Sequence, residues 1–123
     1  MDQTPKKLKI LLIEDEEAVR EVLFQFLCEV GGHEVVSAHD GRQGCDIFSN
    51  DTFDLVITDL GMPGFNGWEV AKKIRETNSK IPIVLATGWG VKLDEWQIRQ
   101  SRVNLVLEKP FRLDQILDIV NKV

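Results

Sequence analysis

Short, almost unbroken apolar runs alternate along the chain with segments whose apolar residues recur three or four positions apart. LKILLIE (8–14), HEVVSA (33–38), FDLVITD (53–59), IPIVLAT (81–87) and VNLVLE (103–108) read as strands. Between the first two, 16–30 sets Val19, Val22, Leu23, Phe26, Leu27 and Val30 near helical spacing and stops at Gly31-Gly32. Residues 41–49, 67–77, about 92–101 and 112–122 read as further helices, the last with Leu113, Ile116, Leu117 and Val120 on one stripe. Strands this apolar need cover on both faces. The alternation therefore predicts a parallel sheet between two helical layers, a doubly wound α/β domain.

Composition narrows the picture. A length of 123 residues with 43% hydrophobic content fits one core, with residues 1–7 as an N-terminal extension and 8–123 as the domain. No apolar run approaches the roughly 20 residues that cross a bilayer, and MDQTPKKLKI holds no long apolar segment ahead of a cleavage site, so a soluble, cytoplasmic chain without membrane contact is expected. The formal charge of −5 and the lack of a basic stripe argue against direct nucleic-acid binding. Cys28 and Cys45 stand outside any CxxC or Cys/His cluster and read as reduced, partly buried thiols.

The stretch DLVITDLGMPGFNGWEV (54–70) changes the picture most, because an apolar strand ends there on the carboxylate of Asp59. In an open α/β sheet the functional crevice lies beyond the carboxyl ends of the strands. The first strand ends in Glu14-Asp15, so neighbouring first and third strands would crowd three acids together, at a cost that a cation offsets. Oxygen-only donors suit a hard ion, Mg²⁺ or Mn²⁺. The fourth strand ends in the hydroxyl of Thr87, and Lys109 follows the fifth, a point charge suited to a phosphoryl oxygen. Singly, the acids read as turn formers or a helix cap, Thr87 as turn chemistry and Lys109 as a surface lysine. Together, five such groups at the ends of four predicted strands make a phosphoryl site. Gly61, Gly64 and Gly67 read as loop geometry around Met62-Pro63, not as a phosphate cradle, and Lys109-Pro110 is a candidate cis peptide.

IEDE (13–16), ITDLGMPGFNG (57–67), ATG (86–88) and EKPF (108–111), in this order and at this spacing, resemble the receiver domains of two-component response regulators, the chemotaxis-regulator-like receivers. The likeness covers nearly the whole chain. It implies a flavodoxin-like, five-stranded parallel sheet of order 2-1-3-4-5 with five helices on its two faces. It further implies Asp59 as phosphoacceptor, Glu14 and Asp15 as metal-binding acids, the Gly61 backbone carbonyl as another metal ligand, and Thr87 and Lys109 on the phosphoryl oxygens. The implied partners are a sensor histidine kinase or histidine phosphotransfer domain and an output protein or domain of unknown kind. The implied molecule is a monomer or a weak phosphorylation-dependent dimer. It is not a conventional enzyme, although it assists its own phosphorylation and reset. By the same likeness Thr87 reshapes the face made by the fourth helix, fifth strand and fifth helix.

Other residues depart from that pattern or stand outside it. Val106 occupies a position where many receivers carry an aromatic ring, so coupling by an aromatic rotamer has no support. Trp89, two residues after Thr87, is a candidate to shield the aspartyl phosphate or meet a partner, with a half-buried loop tryptophan as the plain alternative. Trp96 is a candidate for an output face or simple packing, Trp68 for core or rim, and His33 and His39 read as surface or turn histidines. Two other classes compete. A haloacid-dehalogenase-type phosphatase wants a second aspartate at position 61, where this chain has glycine. A phosphorylation-independent receiver-like interaction module would be favoured by missing acids or lysine, and all are present. A flavin carrier is discarded because the acidic mouth would repel a flavin phosphate.

Overall fold

The computed structural model describes residues 7–88 and 93–123. The expected strands form, each starting one or two residues later and β1 also ending one residue earlier, as β1 (Lys9–Ile13), β2 (Glu34–Ala38), β3 (Leu55–Asp59), β4 (Ile83–Thr87) and β5 (Leu105–Glu108). They pair in parallel in the order β2-β1-β3-β4-β5, as the resemblance implied. Helices α1 (Glu17–Gln25), α2 (Gly41–Ser49), α3 (Gly67–Thr77), α4 (Glu95–Ser101) and α5 (Leu113–Asn121) make the connections.

The period of two along each strand divides the core. Ile10 and Leu12 face one way, into a cluster with Leu23, Leu27, Leu55, Ile57, Ile116 and Val120, so α1 and α5 cover that side. Leu11 and Ile13 face the other way, into a cluster with Val56, Val70, Ala71, Ile74 and Ile83, beneath α2 and α3. β3 and β4 are buried at every position, which is why they read as continuous apolar runs. β5 is the sheet edge, and Leu105 there stays 41% exposed.

Local signals set the helix boundaries. Asp40 caps α2 by accepting from the Gln43 amide at 2.7 Å, and Asp94 accepts from the Trp96 amide at 2.9 Å at the start of α4. Asn66 and Glu69 exchange hydrogen bonds of 3.0 and 3.1 Å in a capping box that fixes the start of α3. The expected first helix of 16–30 proves to be two segments, α1 followed by a π-helical turn over Phe26–Val30. There the Gly31 amide reaches back to the Phe26 carbonyl at 3.1 Å, rotating the last turn so that Val30 is 62% exposed.

His33 corrects the sequence reading. It is buried, and its Nδ1 accepts the Leu8 amide at 3.0 Å, tying the turn before β2 to the start of β1. Burial lowers its pKa from the ordinary histidine value, keeping it neutral. His39 is exposed beside Asp40 as expected, and Trp68 is core. Cys28 and Cys45 are free and half-buried, and burial pushes the Cys45 thiol up to about 11. The Lys109-Pro110 peptide is cis. Trp89 and the start of the expected fourth helix lie outside the described residues.

The loop glycines divide. Gly64 has a φ of 75°, which side chains disfavour, and a Cβ on Gly67 would sit 2.5 Å from the Asp59 carbonyl oxygen and 2.6 Å from Leu85 Cδ1. Gly61, expected to need the same freedom, has open space where a Cβ would project and no positive φ. Gly67→Ala should therefore cost about 2 kcal/mol in urea unfolding, because backbone at the end of β3 must shift, whereas Gly61→Ala should change stability by less than about 1 kcal/mol.

Candidate functional site

Parallel register brings the expected groups into one row at the carboxyl end of the sheet. Ile13 lies opposite Thr58, so Glu14 follows the strand end beside Asp59; Asp59 lies opposite Ala86, and Thr87 opposite Glu108. The Lys109 amide donates to the Thr87 carbonyl at 2.7 Å, extending the ladder one residue past β5. Each strand ends where its apolar run meets a polar group, and the sheet converts those sequence positions into neighbours.

Glu14, Asp15 and Asp59 each offer a carboxylate oxygen, and the three oxygens lie within 4.8 Å of one another. Glu14 and Asp59 are buried and Asp15 is half-buried. None of the three is spent on a helix start: α1 begins at Glu17, and its N-cap position is Glu16, which makes no side-chain cap, so the capping alternative for Asp15 does not hold. The Lys109 Nζ bridges two of the acids, 2.8 Å from Glu14 Oε1 and 3.3 Å from Asp59 Oδ1. Arg20, which the sequence did not single out, donates to the Glu14 carbonyl at 2.9 Å and holds the end of β1 from the side of α1.

Electrostatics follow from this crowding. Burial first, then the charge of Asp59, push the Glu14 carboxyl up to about 7, against the opposing pull of Lys109. Burial alone would pull Lys109 down, but its hydrogen bond to Glu14 and the charge of Asp59 outweigh that, so the ammonium sits above its ordinary value. One lysine thus contacts two of the three acids. Among the described residues, the second Glu14 oxygen, Oε2, is buried with no partner, and so is the hydroxyl of Thr87, which is 2% exposed. An orphaned carboxylate oxygen within an all-oxygen cluster fits a hard divalent cation, and an orphaned hydroxyl fits an incoming anionic oxygen.

The other candidates scatter. Gly61 is exposed, two residues after Asp59 at the end of β3. Val106 is half-buried in β5, paired with Leu85, and Trp96 is 59% exposed on α4 with the Lys72 ammonium 5.1 Å above its ring. Between α1 and the segment that leads from β5 into α5 runs an apolar groove of about 550 Å³, lined by Val19, Val22, Leu23, Pro110, Phe111 and Leu113.

A family model described as the response regulator receiver domain matches residues 10–121. Over 112 residues the chain is 33% identical to the uncharacterized transcriptional regulatory protein YkoG of Bacillus subtilis, covering 91% of this chain and 49% of that one. It is 36% identical over 115 residues to the sensor protein EvgS of Escherichia coli, covering 89% of this chain and 9% of that protein. Among solved structures, the Vibrio cholerae chemotaxis protein CheY4 superposes with a TM-score of 0.87 at 25% identity, covering 96% of this chain and 99% of that one. The chain spans about half the length, or less, of the curated relatives it matches.

The raised Glu14 value has a sign that can be checked. Its folded carboxyl ionises at higher pH than an unfolded one, so its contribution to stability is full below about 4.5 and is lost as pH rises through about 7. In metal-free buffer the parent chain should lose up to about 3 kcal/mol relative to Glu14→Gln across that window, measured by denaturant unfolding at several pH values.

Proposed function

The chain belongs to the response regulator receiver domain family, and on that footing we propose that it is a phosphoacceptor whose Asp59 takes a phosphoryl group from a phosphohistidine. Receiver domains work with sensor kinases in two-component signalling. The observation that carries the reading for these residues is the shared ammonium: Lys109 holds Asp59 and Glu14 together while Asp15 completes an acid cluster that one cation cannot neutralise.

Each residue has a part in the proposed step. An Asp59 oxygen attacks phosphorus, the phosphorus–nitrogen bond of the donor breaks, and an aspartyl phosphate and a histidine remain. Lys109 moves its hydrogen bonds toward the phosphoryl oxygens, and the Thr87 hydroxyl donates to another, which gives both groups the partners their chemistry asks for. Glu14, Asp15, Asp59 and the Gly61 carbonyl would hold Mg²⁺, which when bound supplies charge neutralisation for the phosphoryl oxygens. Water later attacks the aspartyl phosphate at phosphorus and resets Asp59. The apolar groove that Lys109 borders supports a protein donor, since it offers an apolar docking face beside a residue of the site.

Incubation with Mg²⁺ and acetyl phosphate should add one phosphoryl mass to the intact chain, and Asp59→Ala or a chelator should abolish it. Thr87→Ala and Lys109→Ala should slow the reaction by about ten-fold or more each, as expected for loss of one charge-stabilising donor. Lack of any adduct on the parent chain would favour the phosphorylation-independent interaction module. A second test separates donor docking from chemistry: Val22→Asp, 53% exposed in the groove, should slow transfer from a phosphohistidine domain and leave the acetyl phosphate reaction unchanged.

A further inference from the structure

Arg75, near the end of α3, is a buried cation with no carboxylate among its partners in the described residues. It is 8% exposed, and five hydrogen bonds use its five donor hydrogens. Nε and Nη2 donate to the Arg102 carbonyl at 3.3 and 2.8 Å, and Nη2 also donates to Asn104 Oδ1 at 3.0 Å. Nη1 donates to the Ile81 carbonyl at 2.7 Å and to the Asn78 carbonyl at 3.2 Å. Asn78 is the residue that ends α3, and Arg102 the residue that ends α4. One guanidinium therefore meets the negative ends of two helix dipoles, which stand in for a counter-ion. Asn104 widens the joint: its Oδ1 also accepts the Ile83 amide at 2.8 Å, and its own amide donates to the Ile83 carbonyl at 2.9 Å.

The two ends of α4 are held very differently. Ser101 in its last turn is fully buried, and Arg102 takes a left-handed turn with φ of 53° that presents its carbonyl to Arg75. At the other end, among the described residues, Glu95 and Trp96 are exposed, Asp94 supplies a cap that belongs to the helix itself, and the long Lys72 side chain of α3 lies over the Trp96 ring without a hydrogen bond to the α4 backbone. The geometry points to Arg75 as a positioning residue that pins the carboxyl end of α4 and the entry to β5. α4 then swings about that end when the site at Thr87 changes. This rests on the receiver reading for what drives the swing, while the pin itself stands on contacts remote from the acids. A lysine cannot replace the fork, having three donors in place of five and no planar geometry.

Hydrogen exchange of the full chain tests both parts, with Arg75→Lys and Asn104→Ala as separate variants so that one poorly folded protein does not decide the matter. The pin predicts that Arg75→Lys speeds exchange of the Ile83, Ser101, Arg102 and Asn104 amides at least ten-fold, with β1 and β3 amides unchanged. Asn104→Ala should affect Ile83 most. Beryllium fluoride with Mg²⁺ on the parent chain should alter exchange at 95–98 and leave 101–104 as they were. In Arg75→Lys the change should spread to both ends, while acetyl phosphate still labels Asp59 within about three-fold of the parent rate. Unchanged exchange at 101–104 in Arg75→Lys overturns the pin. Equal change at both ends of the parent α4 overturns the swing. Failure of the parent to take a phosphoryl group overturns the receiver reading and with it the swing, and leaves the pin to be judged by the first arm.

Discussion

The ammonium of Lys109 lies between Glu14 and Asp59, and the arrangement of the whole carboxyl edge depends on that bridge. β1 and β3 are neighbours in the sheet, so two acid-ended strands cannot avoid each other, and a third acid, Asp15, follows directly. One lysine, the residue directly after β5, supplies the only opposing charge in contact with the buried pair among the described residues. Among the described residues the site is therefore left with more buried negative charge than it can neutralise, along with an orphaned carboxylate oxygen and an orphaned hydroxyl. A site evolved for stability alone would not keep such groups unpartnered. A site awaiting a divalent cation and a phosphoryl group has a use for each of them.

The rest of the fold holds that edge rigid. Alternating residues of β1 send Ile10 and Leu12 into the core under α1 and α5, and Leu11 and Ile13 into the core under α2 and α3, so the strand is gripped on both faces up to the residue before Glu14. β3 is fixed in the same way, and the close approach of Gly67 to the Asp59 carbonyl seats the start of α3 directly against the phosphoacceptor candidate. Arg20 and Arg75 do related work at opposite sides, each spending a guanidinium on backbone carbonyls at an element end.

Much of this was legible in the chain. A carboxylate closing an apolar strand is expensive unless used, and the same anomaly at Asp59 and Glu14, joined by Thr87 and Lys109, located the crevice before any coordinates. The sheet order followed from the receiver resemblance, since the apolar pattern alone gives strands and not their neighbours. What escaped depended on contacts distant in sequence. His33 reads as a turn residue because nothing local shows that Leu8, 25 positions away, will donate to it. Arg75 reads as an ordinary charged helix position because its partners are carbonyls, which carry no signature in a side-chain alphabet. The π-helical turn after α1 was invisible because apolar spacing in 16–30 is compatible with a continuous helix, and Gly61 looked special only by its company in a glycine-rich loop.

The most direct test of the account is the metal-free stability of Asp59→Asn at pH 8, where Glu14 is ionised. If the edge carries surplus negative charge, removing one carboxylate while keeping its shape should raise stability by about 1 kcal/mol or more in denaturant unfolding, and Mg²⁺ should stabilise the parent chain but not the variant. A variant less stable than the parent without metal would mean that the Lys109 bridge already satisfies the acids, and would contradict the claim that the site is built around charge it cannot neutralise by itself.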